Sequence, residues 1–234
     1  MSLPVINTPT YELVQPSTKD TITFRPFLVK EEKILLLALE ENNENSLAMS
    51  LKQIINNCTF EQVNVDILPL FDLEYMFLKI RAKSVGETAK VRLLCEDDGE
   101  TYAEVEIDLE EVEVSFPEKH TNTINITDEV VLEMRYPTYE LLGTGTDELT
   151  VDKTFDLIGA CINRMIEGEN IYDRADWTEE ELRLFIENLT SKQFAELQTF
   201  FETMPKLSKE VSYTNPKTKK KNKMTLEGLQ SFFV

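Results

Sequence analysis

The sequence lacks the short motifs that mark the common enzyme families. It contains no G-x-S-x-G nucleophile elbow, no GxxxxGK[ST] phosphate loop, no H-E-x-x-H zinc motif and no GxGxxG dinucleotide motif. Adjacent acids such as Glu110 and Glu111 could in principle transfer protons, but acidic pairs are so frequent in this chain that a solvated surface explains them. The sequence therefore predicts that the protein is not an enzyme.

Metal-binding and disulfide-forming residues are also scarce. The single histidine, His120, cannot form a multi-histidine site, and Cys58, Cys95 and Cys161 are an odd number without C-x-x-C spacing. We expect three reduced thiols, as in a cytosolic protein, each packed as a small apolar residue. His120 is expected to be an ordinary loop or surface residue, and no cofactor is predicted.

A leader and a long apolar segment are missing as well. The first residues carry no basic stretch followed by an apolar one, and the longest apolar run, residues 34–39, is far shorter than the roughly 20 residues of a membrane-spanning helix. The net charge of −19 repels a phosphate backbone. The sequence therefore predicts no nucleic-acid partner and no membrane partner. The acidic charge either favours basic protein partners or only keeps the protein in solution.

The amino-terminal region, residues 1–90, is predicted to mix a β-hairpin with helices. A hairpin is expected over residues 11–29, followed by a helix over residues 30–41. Ser46 is predicted as the N-cap of the next helix. A further helix is indicated by acids in its first turn, bases in its last turn and Gly86 just beyond. Its two apolar faces predict burial on most sides.

The middle region, residues 91–142, is predicted to be antiparallel β structure with an acidic surface. Two strands flank an Asp-Asp-Gly turn, and the second strand alternates strictly between apolar and polar residues. No lysine or arginine lies between Glu96 and Glu113. A calcium loop needs a spacing that residues 95–99 lack, so we favour an acidic face, which could dock a basic partner, over a calcium site.

The third region, residues 147–234, follows a glycine-bearing linker and is predicted to be a helical bundle closed by a β-hairpin. Two capping boxes are expected to start helices: Thr178 with Glu181, and Thr190 with Gln193. Upstream of them, an amphipathic helical stripe is predicted from the spacing of five apolar residues: Phe155, Ile158, Ile162, Met165 and Ile166.

The closing hairpin places a basic loop beside an apolar chain end. Its lysines are Lys217, Lys219, Lys220, Lys221 and Lys223, and the chain ends near Phe232 and Phe233. We expect the apolar residues to pack against a helical face or a partner subunit while the lysines point outward. The loop is either a solvated turn or a contact for an acidic neighbour, such as the acidic tip of another copy, formed by Glu96, Asp97 and Asp98.

Four stretches carry a family resemblance: FRPFLVKEEKILLLALE, LPLFDLEYMFLKIRAKSVGE, FDLIGACINRMIEGENIY and NKMTLEGLQSFF. Together they resemble the T4-type bacteriophage baseplate proteins, which are associated with the central hub of the contractile tail. The similarity runs over nearly the whole chain, and FDLEYMFLKIRAKSVGE and MTLEGLQSFF are its most specific parts. The resemblance implies a tail-assembly or virion component without catalytic activity.

The resemblance also implies cysteine pairs at two hairpin tips in related sequences, as in zinc ribbons. In this chain the matching places hold Cys95 with residues 96–98, and residues 214–218. The second place contains no cysteine and the first contains one, which is too few for a structural zinc site of about four ligands. We therefore expect a zinc-ribbon-like hairpin without its cysteines, and no bound metal.

The sequence thus predicts an α+β protein. The resemblance implies a non-enzymatic structural component of the baseplate of a contractile phage tail, in the hub region, that acts through protein contacts in tail assembly. The alternatives are a transient hub assembly factor that is absent from the virion and, in a different class, an enzyme acting on peptidoglycan. The expected partners are other hub and wedge proteins. Several copies of this protein are expected in each tail. The expected location is the virion, with the host cytoplasm during assembly.

Overall fold

The computed structural model describes residues 7–41, 43–142 and 150–232. Within these ranges the α-helices are α1 (Val29–Glu41), α2 (Glu44–Cys58), α3 (Leu70–Val85), α4 (Tyr139–Leu142), α5 (Val151–Cys161), α6 (Glu179–Glu187) and α7 (Ser191–Thr203). The strands are β1 (Tyr11–Val14), β2 (Thr21–Phe24), β3 (Thr88–Leu94), β4 (Tyr102–Asp108), β5 (Glu113–Ser115), β6 (Thr123–Asn125), β7 (Val130–Met134), β8 (Ile162–Glu167), β9 (Asn170–Asp173), β10 (Lys206–Thr214) and β11 (Lys221–Glu227). These helices and antiparallel sheets confirm the predicted α+β class.

Backbone contacts divide the chain into two compact units. Unit 1 combines Met1–Ser115 with Lys206–Val234, and unit 2 is Phe116–Pro205. The three regions predicted from the sequence follow one another along the chain, whereas the two units are defined by contacts. That the three regions form separate domains stays a prediction. Of the predicted glycine-bearing linker, residues 142–146, Leu142 ends α4 and residues 143–146 lie outside the described residues.

Helix α3 provides much of the core of unit 1. Its residues Leu73, Met76, Leu78 and Ile80 have no exposed side-chain surface. Burial of each such side chain contributes about 1.5–3 kcal/mol to folding. The predicted burial of this helix on most sides is confirmed, because buried residues occur all around it. Asp72 lies in its first turn and Lys83 in its last, as a helix dipole favours.

Three antiparallel sheets complete unit 1, and all three predicted hairpins are present. The sheet orders are β1-β2, β3-β4 and β11-β10-β5. Strand β4 buries Ala103 and Ile107 and exposes the acids between them, which confirms the predicted alternation. Lys90 of β3 lies opposite Glu106, and Arg92 lies opposite Glu104, so bases of the neighbouring strand stand beside the acidic face.

Unit 2 is built from the antiparallel sheet β6-β7-β8-β9 and helices α4–α7. Its core includes Leu132 of the sheet, Ile158 of α5, Ile186 of α6 and Leu197 of α7. Both predicted capping boxes are confirmed at the starts of α6 and α7. In each, the threonine hydroxyl accepts a hydrogen bond from the backbone amide of the third helical residue, and that residue's side chain accepts one from the threonine amide.

Two local predictions about helices were wrong. Helix α2 begins at Glu44, so Ser46 lies inside the helix rather than at its cap. The expected helical stripe ends early, because α5 stops at Cys161 and residues 162–167 form strand β8. Strand β8 pairs with β7 on one side and with β9 on the other, so its backbone groups are satisfied without a helix. The sequence pattern of a short apolar run with β-branched residues fits the period of a helix as well as that of a strand.

A buried ion pair joins the chain after β2 to the start of α1. The side chain of Glu31 has no exposed surface, and its Oε1 lies 3.0 Å from Nη2 of Arg25. The other carboxylate oxygen accepts a hydrogen bond of 2.9 Å from the amide of Leu28. One carboxylate therefore satisfies both a guanidinium group and an unpaired amide near the helix start.

Replacing Glu31 by glutamine should lower the free energy of unfolding by about 2–3 kcal/mol, because the Arg25 charge would lose its ionic partner. Urea unfolding measures this change. The exposed neighbour Glu32 supplies the control, since Glu32→Gln should change stability by less than about 0.5 kcal/mol. Equal effects of the two substitutions would show that the ion pair contributes little.

Candidate interaction site at two hairpin tips

The acidic and basic hairpin tips of the sequence contact each other within unit 1. Asp97, in the β3–β4 turn, accepts hydrogen bonds from Nδ2 of Asn215 at 2.8 Å and from Nδ2 of Asn222 at 3.0 Å. The hydroxyl of Thr218 donates to the other carboxylate oxygen. The amide of Asp97 donates back to Oδ1 of Asn222 at 3.2 Å. We call these bonds the tip contact.

The two turns that meet share one backbone hydrogen bond and one residue in the left-handed conformation. In each, the amide of the fifth residue donates to the carbonyl of the first at 2.9 Å: Gly99 to Cys95, and Lys219 to Asn215. The fifth residue has a positive φ in both, 65° at Gly99 and 62° at Lys219. Asn215 also accepts a hydrogen bond of 2.8 Å from the amide of Lys217, which closes its own turn.

A third turn of this shape, between β1 and β2, holds a carboxylate in a similar way. The amide of Lys19 donates to the carbonyl of Gln15, and Lys19 has a φ of 66°. Asp72 of α3 is fully buried and accepts hydrogen bonds from Nε2 of Gln15 at 2.7 Å and from the amide of Ser17 at 3.0 Å. Sequence reasoning missed this likeness, although the stretches QPSTK and NPKTK share a proline, a threonine and a lysine at the same positions.

The tip contact favours the ionised form of Asp97. Hydrogen bonds from Thr218, Asn215 and Asn222 hold the pKa of Asp97 below its ordinary value. The neighbouring Cys95 is buried as a free thiol, and burial raises its pKa. Among the described residues no group of three or more His, Cys, Asp and Glu could hold a metal ion. The expected absence of a bound metal and the likeness to a zinc ribbon stay predictions.

The lysines of the β10–β11 hairpin all lie at the surface, Lys221 and Lys223 in strand β11 and the others in the loop before it, but they differ in their partners. Lys217 Nζ is 3.5 Å from a carboxylate oxygen of Glu100, and Lys223 Nζ is 2.6 Å from one of Glu210. Lys219, Lys220 and Lys221 are exposed and form no ion pair within the described part of the chain. These three are named the free lysines below.

The acids of the opposite tip are engaged to different degrees. Asp97 is taken up by the tip contact, and Asp98 accepts hydrogen bonds of 2.6 and 3.0 Å from the hydroxyl and amide of Thr101. Glu96 is exposed. The two tips therefore place the free lysines near acids that stay ionised, and Asp97 and Asp98 are the acids held by hydrogen bonds. Their predicted role as a protein interface stays a prediction.

The apolar chain end is anchored inside unit 1. Phe232 is 1% exposed and lies in the short helical turn Leu229–Phe232, which contacts α3 and β3. The amide of Leu229 donates to Oε1 of Glu74 on α3 at 2.9 Å. The structure thus shows Phe232 packed against a helix of its own chain, which is one of the two expected alternatives. Phe233 lies outside the described residues.

The remaining sequence candidates lie in ordinary structural positions. Cys58, Cys95 and Cys161 are buried and free, which confirms the expected thiols. His120 lies in a loop, as expected, but it is partly buried in unit 2. Its Nδ1 lies 3.0 Å from the hydroxyl of Thr203. Burial lowers the pKa of its imidazole.

Asp97→Asn should destabilise the protein at neutral pH, because the amide of asparagine would face the donors of the tip contact. A lowered carboxyl pKa adds stability above the ordinary value of 3.8 and loses it as the pH falls through the lowered value. The difference between wild type and variant should therefore shrink below about pH 4. Urea unfolding between pH 2 and 7 measures it, with the exposed Glu96→Gln as control. A difference independent of pH would contradict the assignment.

Burial raises the pKa of Glu74 from 4.5 to about 7. A raised carboxyl pKa favours folding at low pH, and this contribution is lost as the pH rises from 4.5 through 7. Glu74→Gln keeps an acceptor for Leu229 and removes the titration. The variant should match the wild type near pH 4.5 and exceed it at pH 8 by up to about 3 kcal/mol in the free energy of unfolding. Parallel stability curves for the two proteins would refute this.

Comparison with known proteins identifies the family of the chain. The chain belongs to the T4 bacteriophage base plate protein family, whose model matches residues 8–234. This membership implies a structural role in the phage baseplate, contact with other baseplate proteins and a location in the tail. Neither the curated proteins nor the solved structures contained a match. No helix in the described ranges is long and apolar enough to cross a membrane.

Proposed function

We propose that this protein is a non-enzymatic structural component of a contractile phage tail, placed in the hub region of the baseplate in several copies. It acts through contacts with hub and wedge proteins. The observation that carries this proposal is the family match over nearly the whole chain. The free lysines support it, because exposed and unpaired charges at a rigid turn can select an oppositely charged neighbour.

The engagement of the reactive side chains supports a role without catalysis. All three thiols are buried, and burial raises the pKa of Cys58 to about 11 and that of Cys161 to about 12, which disfavours nucleophilic thiolates. Both ring nitrogens of His120 lie 3.0 Å from hydroxyl groups of Thr203 and Tyr136. A peptidoglycan zymogram of the purified chain tests this point, and a clear lytic band would refute it.

A transient assembly factor is the second candidate function. It would use the same surfaces during hub construction, in the host cytoplasm, and then leave. Quantitative proteomics of purified tails separates the two candidates. A fixed stoichiometry with other baseplate proteins is expected of a structural component, whereas absence from mature tails together with failed assembly in its gene deletion would identify an assembly factor.

Reversing the charge of the free lysines should weaken binding to neighbouring baseplate proteins. The variant Lys219→Glu, Lys220→Glu, Lys221→Glu removes the positive loop without touching the tip contact. Because ionic attraction between exposed groups is screened by salt, the loss of binding should be larger at about 0.05 M than at about 0.5 M salt. Co-purification of reconstituted baseplate proteins measures it, and we expect at least a tenfold loss at low salt.

A matched variant separates the effect of the position of the lysines from the effect of net charge. Lys33→Glu, Lys119→Glu, Lys192→Glu changes the net charge equally, and these lysines are also exposed. This control should bind nearly as well as the wild type. Equal losses for the two triple variants would show that the β10–β11 loop is only a solvated turn.

A further inference from the structure

A cavity of about 440 Å³ in unit 1 lies beside the free edge of a β-strand. All four residues of β1 line it, together with Tyr75, Lys79 and Lys83 of α3 and with Glu113, the first residue of β5. Strand β1 pairs only with β2 in the described residues, and β5 pairs only with β10. Two strands with an unpaired side therefore border one cavity.

The register of the β1–β2 hairpin shows which backbone groups are free. The amide of Gln15 donates to the carbonyl of Asp20, so these two residues form a hydrogen-bonded pair. Along an antiparallel ladder such pairs alternate with pairs whose backbone groups point away from the partner strand. The amides and carbonyls of Glu12 and Val14 therefore point away from β2. The opposite edge of the hairpin is covered, since Thr23 of β2 bonds through its amide and carbonyl to the side chain of Gln62.

The same reasoning identifies the free backbone groups of β5. The amide of Gly228 donates to the carbonyl of Leu207, so the backbone groups of Leu207 point toward β11. Its neighbour Ser208 then points toward β5 and pairs with Glu113. Val114 is left with its amide and carbonyl directed to the unpaired side of β5. Unpaired strand edges of this kind are templates for another strand.

The lysines that line the cavity already have partners. Lys79 is 6% exposed, and its Nζ donates to the carbonyls of Glu110 at 2.6 Å and of Leu109 at 3.3 Å. Lys83 Nζ lies 2.6 Å from Glu87, which lies outside the cavity lining.

The carboxylates of the cavity differ in their partners. Oε1 of Glu110 is buried and has no hydrogen-bond partner, but it forms an ion pair of 3.5 Å with Nζ of Lys83, and Glu113 lies 3.7 Å from Nζ of Lys79. Glu12 is exposed on β1 and forms no ion pair among the described residues. A basic group would complement Glu12. On the other face of β1, the rings of Tyr11 and Phe24 stand 5.7 Å apart and form an apolar wall.

We propose that this cavity accepts an extended segment of another polypeptide, about four residues long, as a strand added to the free edge of β1. The segment carries an apolar side chain that contacts Tyr11 and Phe24 on one face of the strand and a basic side chain that meets Glu12 on the other. Only an extended main chain supplies the alternating donors and acceptors that Glu12 and Val14 leave unpaired. The inference does not depend on the role of the free lysines.

The experiment is an NMR titration of the ¹⁵N-labelled full chain with a capped peptide of alternating valine and lysine. Saturable shifts are expected at the amides of Glu12, Val14 and Val114. A peptide with glutamate in place of lysine should bind at least tenfold more weakly. A peptide with proline at the lysine positions should not bind, because it lacks the amides that pair with β1.

Two variants of one residue separate main-chain pairing from side-chain contact. Val14→Pro removes an outward amide at an edge position, where proline is tolerated, and should weaken binding at least tenfold. Val14→Thr keeps the amide and should bind within about threefold of the wild type. Unchanged amide signals of β10 and β11 show that each variant is folded.

Three outcomes would overturn the proposal. The first is the absence of saturable shifts with the lysine peptide. The second is equal binding by the lysine and glutamate peptides, or equal binding to both Val14 variants. The third is a concentration-dependent shift of the same amides without peptide, which would assign the edge to a second copy of this chain.

Discussion

The outer surface of unit 1 depends on one carboxylate that joins two distant turns. Asp97 and its partners Asn215 and Asn222 are 118 and 125 residues apart in sequence. Because the acceptor is ionised, these hydrogen bonds are stronger than neutral ones. Asn215 has no exposed surface, so loss of the acceptor would leave a buried amide without a partner. The tip contact thus joins the two hairpins through three side-chain donors and the backbone amide of Asp97.

This arrangement decides which charges an outside partner meets. The tip contact and the turn hydrogen bonds occupy Asp97 and Asp98, while Lys219, Lys220 and Lys221 remain exposed. A chain with a net charge of −19 thus carries three exposed lysines next to each other at this hairpin. In the proposed function, these exposed positive charges would help to select an oppositely charged neighbour. The edge of β1 offers a second, main-chain means of attachment.

Local signals in the sequence predicted the parts of the fold that depend on neighbouring residues. The capping boxes at Thr178 and Thr190, the hairpins and the burial of α3 each follow from short patterns. The strand at residues 162–167 did not, because the pairing partners that make it a strand, β7 and β9, are set by the tertiary fold. The partners of Asp97 could not be found for a similar reason. The sequence shows that Asp97 is charged, but not that it contacts Asn215, 118 residues away. The similar turn sequences QPSTK and NPKTK were a usable signal for this contact.

A double-mutant cycle between Asp97 and Asn222 tests the tip contact most directly. Urea unfolding of the wild type, Asp97→Ala, Asn222→Ala and the double variant gives the coupling free energy between the two side chains. If the two side chains stabilise the fold through each other, the double variant will lose clearly less stability than the sum of the single losses. Additive losses within experimental error would show that the two tips are held together by something other than this carboxylate.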